Sequence, residues 1–176
     1  MRLVTQLTLT ALLVLAIAVG LAAGVDSESK KKADGIQWVA YDVGLERAEK
    51  ENKHVFIDFT AKWCGYCKKM DRETFSQPEV IELVNENFIP VKVDGDSRDT
   101  LDIDGFKITE RNLTKAEFGV RGYPTFWFLK PDGTKLGAIT GYRPKDIMMD
   151  ALAFVKDYKY DTTRTESPEK KAEIGR

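Results

Sequence analysis

An α/β domain, with a mixed central β-sheet flanked by helices on both faces, is the architecture this sequence predicts. Three observations carry it. Runs of β-branched and aromatic residues, His54–Thr60 and Phe88–Asp94 foremost, alternate with segments of helical period. Pro131-Asp132-Gly133-Thr134 between the last two runs is a hairpin turn. The resulting order β, α, β, α, β, α, β, β, α gives parallel pairs early and an antiparallel hairpin late.

Taken in order, Ile36–Tyr41 alternates well enough for a short first strand or an extended lead-in. Asp42 is placed to cap a helix over 43–52, with Leu45 and Ala48 inward and Glu46, Arg47, Glu49 and Lys50 outward. The strand 54–60 follows, then a helix-compatible stretch from Lys68 to Glu73. Ser76-Gln77-Pro78-Glu79 matches a capping box, and Val80, Ile81, Leu83, Val84 and Phe88 repeat at helical spacing, which predicts a second helix after a break at 75–78. Beyond the strand 88–94, residues 95–111 show no clear period and are long for a connection in a compact domain, so they read as a functional insertion or a loosely ordered one. A short helix over 112–118, a Gly/Pro-punctuated turn over 119–125, and strands at 126–129 and 135–140 come next. Pro144 fits the first turn of a helix to Tyr158, with Ile147, Met148, Ala151, Leu152 and Val155 as its buried stripe. The charged stretch 159–176 lacks apolar periodicity and is expected to be disordered.

The chemistry sits at Trp63-Cys64-Gly65-Tyr66-Cys67. The only two cysteines of the chain stand there, two residues apart, after a strand and at the opening of a helix. In that context C-x-x-C signals a redox pair. A thiol at a helix N-terminus faces unpaired backbone N–H groups and the positive end of the helix dipole, which predicts Cys64 as the low-pKa nucleophile. Cys67, nearly a turn further in, is the thiol that resolves the mixed disulfide. Lys62 and Lys68 flank the pair, either adding positive potential or simply solvated. A rival use of the two thiols is Cu(I) binding, which their softness permits. A structural zinc site normally needs four Cys or His ligands, and His54 is the only histidine; it reads as structural or exposed.

Composition excludes more than it selects. A net charge of -1 gives no reason to expect nucleic acid, and 43% hydrophobic with 31% charged residues describes one soluble domain, here assigned to 36–158. Residues 1–24 combine a charged start, an apolar run from Ala11 to Ala23 and small residues suited to cleavage before Val25, which is the pattern of a signal peptide. An uncleaved anchor over Leu3 to Ala23 is the rival reading, and either one delivers the cysteines outside the cytoplasm. Residues 25–35 are a polar, Lys-rich linker.

Several separated features agree with one family. The W-C-x-x-C motif after a strand ending Asp58-Phe59, the Gly119-Val120-Arg121-Gly122-Tyr123-Pro124-Thr125 segment, the Pro-Asp-Gly hairpin, and Gly141 before a last amphipathic helix resemble the thioredoxin-like superfamily. In finer detail, "ENKHVFIDFTAKWCGYCKKM" and "TFSQPEV" resemble extracytoplasmic thioredoxin-related proteins. Among these the Sox-type periplasmic thioredoxins are nearer and the C-terminal domain of the membrane reductant carrier DsbD more distant. The resemblance implies a thioredoxin fold and a thiol–disulfide oxidoreductase without bound cofactor. It is expected to be a monomer acting on client proteins with disulfides and recharged by an upstream thiol donor such as a membrane reductant carrier. It also implies roles. Pro124 would follow a cis peptide and, with Trp63, Tyr66 and Tyr123, border the client; Asp58 would be the buried carboxylate that exchanges a proton with Cys67, and Lys92 its partner. Gly-Tyr stands between the cysteines where thioredoxin has Gly-Pro, a pair also found in periplasmic disulfide isomerases. Reduction of client disulfides is the expected direction, with isomerase and oxidase action as its rivals.

Overall fold

The computed structural model describes residues 34–162. The signal or anchor segment 1–24, most of the linker 25–35 and the tail from 163 onward lie outside the described residues. Among the described residues no helix is long and apolar enough to cross a membrane.

Four strands form the central sheet in the order β2-β1-β5-β6: β1 is His54–Thr60, β2 Phe88–Asp94, β5 Thr125–Leu129 and β6 Lys135–Thr140. β1 pairs parallel with β2 and antiparallel with β5, and β5 pairs antiparallel with β6. The expected mixed sheet is thus present, with β1 central. Its first predicted strand is reduced to a lead-in: only Val39 bridges, its N–H donating to the Pro90 carbonyl and its carbonyl accepting from the Lys92 N–H.

Alternation along β1 and β2 assigns their side chains to two faces. Val55, Ile57 and Phe59, with Ile89, Val91 and Val93, pack against helix α1 (Tyr41–Glu51) and the segments after β2. Phe56 and Phe88 face the other way, toward α2 (Gly65–Glu73), α3 (Pro78–Asn87) and α4 (Lys145–Lys156). Phe56 anchors that second core, with ring centroids of Trp38, Phe75, Phe88, Phe126 and Phe128 all between 5.3 and 6.3 Å away. Asp58 and Lys92 share the parity of Phe56 and Phe88, so both point to the side on which α2 lies.

Local expectations needed correction in several places. Helix α1 starts at Tyr41, whose buried ring packs edge-on against Phe118 at 5.7 Å; Asp42 therefore sits inside the first turn instead of capping it. The capping box at 76–79 does not form. Ser76 Oγ donates instead to the Arg72 carbonyl at 2.6 Å, finishing α2, and Gln77 precedes Pro78 without a side-chain cap. The stretch 95–111 is ordered: β3 (Thr100–Ile103) and β4 (Phe106–Thr109) form a hairpin closed by Asp104 and Gly105, both at positive φ (53° and 84°), and the paired Leu101 and Ile108 join the core under α1. Helical winding resumes at Glu110–Asn112 and widens to a π-helix over Leu113–Glu117. In α4, Met148, Leu152 and Val155 form the buried stripe, while Ile147 is exposed. Finally, order extends beyond the expected limit at 158. The Tyr160 hydroxyl lies 2.6 Å from Nε2 of His54, which is buried and structural, and the two rings meet edge-on.

Candidate redox site

β1 delivers the chain to the site, and the turn after it places Cys64 as the residue preceding α2. The Cys64 N–H donates to the Ala61 carbonyl at 2.9 Å, and Cys64 Sγ accepts from the Cys67 N–H at 3.1 Å. Cys64 and Cys67 are joined in a disulfide with their Cα atoms 5.3 Å apart, and both are buried, in contact with Ala61 and Tyr123. When that bond is reduced, the Cys67 amide that already reaches Cys64 Sγ, with the positive end of the α2 dipole, favours thiolate over thiol there. Lys62 and Lys68 are solvated, and Lys62 comes no closer than 4.0 Å to Asp94.

Around the disulfide stand aromatic groups of unequal exposure. Trp63 is 70% exposed, donates from Nε1 to Asp96 Oδ2 at 2.6 Å and meets the Tyr123 ring edge-on at 5.9 Å. Tyr66 is 63% exposed. Tyr123 is half-buried, and its hydroxyl has no hydrogen-bond partner among the described residues; burial, with Asp96 and Asp94 adding, pushes its pKa up. The ring has room because residue 95 is glycine: a Cβ there would run into Tyr123 Oη and lie 2.8 Å from Thr114 Cγ2. The Tyr123-Pro124 peptide is cis, and Pro124 is buried, its carbonyl accepting from the Gly141 N–H at 2.8 Å.

On β1, Asp58 is only 2% exposed and its Oδ1 is without a partner among the described residues. Its other oxygen meets the Nζ of Lys92, its register partner on β2, at 3.3 Å. Burial pushes the Asp58 pKa up to about 6; Lys92 opposes that rise and Asp71 adds to it. Burial works to lower the Lys92 pKa, but Asp58 and Asp71 outweigh it and hold the amine above its ordinary range. The expected Asp58–Lys92 pairing is present, although Lys92 is shared with Asp71.

With that geometry in place, comparison with known proteins gives a consistent result. Residues 41–156 match the family model described as a thioredoxin-like domain. The chain belongs to the thioredoxin-like family. It is 31% identical over 130 residues to the protein disulfide-isomerase of Gallus gallus, covering 74% of this chain and 22% of that protein. A thioredoxin from Thermus thermophilus superposes with a TM-score of 0.57 at 27% identity, covering 69% of this chain and 87% of that one. A thioredoxin-fold protein from Helicobacter pylori gives 0.58 at 21% identity, covering 68% and 83%, a likeness of fold alone. This thioredoxin-like chain spans 12% to 22% of the length of the first curated relatives it matches.

Sequence reasoning missed three residues of this thioredoxin-like site. Asp71 carried a usable signal, since it stands four residues after Cys67 and so on the same helical face. Asp96 and Gly95 carried none, because their contacts with Trp63 and Tyr123 bring together segments about thirty residues apart.

Proposed function

We propose that the chain is a thiol–disulfide oxidoreductase that acts outside the cytoplasm and reduces disulfides of client proteins. The observation that carries this reading is the buried Cys64–Cys67 pair with Cys64 capping α2. In the reduced form, Cys64 thiolate attacks one sulfur of a client disulfide and the other client sulfur leaves as thiolate. Cys67 then gives its proton to Asp58 and attacks Cys64 Sγ, which releases the second client sulfur and leaves the intramolecular disulfide. Two electrons pass from the Cys64/Cys67 dithiol to the client, and an upstream thiol donor restores the dithiol.

Trp63, Tyr66 and Tyr123 border the surface through which a client would approach. The Pro124 carbonyl is already bonded, so an extended client segment would pair with the backbone at Tyr123 as an added strand. The N-terminal sequence supports an extracytoplasmic location, and the likeness to thioredoxins supports a cofactor-free monomer. Insulin reduction driven by dithiothreitol tests the activity: wild type accelerates it and Cys64→Ser does not. Equal rates for the two would end the enzymatic reading. A reduction potential near roughly -270 mV fits a reductase and one near roughly -120 mV an oxidant.

Isomerase action is the second reading, favoured by the Gly-Tyr pair between the cysteines and by similarity to the chicken disulfide isomerase. Recovery of activity from scrambled ribonuclease, without net change in thiols, would place it first.

A further inference from the structure

One cation serves two carboxylates beside the redox helix. Lys92 Nζ is 3.3 Å from Oδ2 of buried Asp58 but 2.7 Å from Oδ1 of Asp71, and the ammonium also lies 5.1 Å from the Trp38 ring centroid. The shorter bond goes to the more solvated partner. Side-chain exposure rises along the row, 3% at Asp58, 28% at Lys92 and 49% at Asp71. Asp71 is borne by α2 one turn after Cys67, so the helix that carries the resolving cysteine also carries the group that competes for Lys92.

We propose that Asp71 is a positioning residue, which draws the Lys92 ammonium toward solvent and thereby leaves the buried Asp58 carboxylate under-neutralised and ready to take up a proton. The inference rests on Asp58 serving Cys67 as proposed above, and it adds the residue that sets how well Asp58 can do so. A carboxylate fully paired with Lys92 would be a poor proton acceptor, and one with no cation nearby would stay protonated at neutral pH. Sharing the cation holds Asp58 between these extremes. The charged groups acting on Asp58 are Lys92 from β2 and Asp71 from α2; β5 places uncharged Phe126 opposite it, and the lead-in contributes the Trp38 ring over Lys92. Glu73, further along α2, is taken up by Arg72 and the Tyr142 hydroxyl.

The test is carboxyl-carbon NMR titration of Asp58 in the full chain with its disulfide intact, which reads the carboxylate without turnover. In Asp71→Asn, Lys92 is released to Asp58 and the midpoint falls by about one pH unit. Asp71→Glu restores it, Glu73→Gln leaves it in place, and Lys92→Met raises it. A midpoint that stays or rises in Asp71→Asn overturns the proposal, as does an equal fall in Glu73→Gln, which would reduce Asp71 to one more surface charge. The pH profile of insulin reduction by Asp58→Asn separates this from the parent reading. If the wild-type inflection survives there, Asp58 does not serve Cys67; if it vanishes while Asp71→Asn leaves the NMR midpoint unmoved, the Asp71 role alone is wrong.

Discussion

Burial of Asp58 makes its ionisation a cost to the fold, and the cost can be measured. With the carboxyl at about 6 in the folded protein against 3.8 as its ordinary value, the difference is about two pH units, or about 3 kcal/mol at roughly 1.4 kcal/mol per unit. The folded-state pKa is raised, so the folded protein holds the proton more tightly than the unfolded chain. This stabilisation is complete below pH 3.8, is lost as pH rises to about 6 and is absent above. Asp58→Asn keeps the shape and cannot ionise. Relative to wild type it should therefore gain about 3 kcal/mol between pH 3 and pH 8, with the change concentrated between 4 and 6. Urea denaturation of both proteins with the disulfide intact reads this as a divergence of midpoints by about 1.5 M, for a slope near 2 kcal/mol per molar. Parallel midpoints across that window would refute the reasoning, because they would mean that Asp58 is solvated or fully neutralised in the folded state.

Other perturbations follow from single contacts. Tyr123→Phe removes a buried hydroxyl without a partner and should stabilise the domain by about 1 kcal/mol in thermal unfolding. Gly95→Ala pushes a methyl into Tyr123 and Thr114 and should cost about 1–3 kcal/mol, partly relieved when combined with Tyr123→Phe; additive effects would show that the two positions do not touch. Asp96→Ala frees Trp63 from its hydrogen bond and should raise KM for a protein client several-fold with kcat little changed and stability altered by less than about 1 kcal/mol. Phe56→Ala, at the centre of five aromatic contacts, should cost about 3–5 kcal/mol in urea denaturation.

The sheet and the cysteines were legible in the sequence because they rest on local signals. β1, β2 and β6 have the bounds that the sequence pattern predicted, and C-x-x-C at a strand–helix junction named its chemistry. The hairpin at 100–109 carried a signal too, the Asp104-Gly105 pair, but its flanking runs are half polar because only Leu101 and Ile108 are buried, and no period emerged. Asp42 and Ser76 look like helix caps in isolation; burial of Tyr41, a tertiary fact, and the open carbonyl of Arg72, a local competitor four residues back, decided otherwise. The same holds for Lys92. Its place beside Asp58 follows from register, whereas its attraction to Asp71 depends on how α2 lies across the sheet, which no stretch of sequence states.

Everything chemical depends on Cys64 being the reactive thiol of the reduced pair. Alkylation by iodoacetamide as a function of pH, with the modified cysteine located by mass spectrometry, measures that directly. Modification confined to Cys64, with a midpoint well below the ordinary thiol value of about 8.5, is the expected result. Preferential modification of Cys67, or a Cys64 midpoint at the ordinary value, would contradict it.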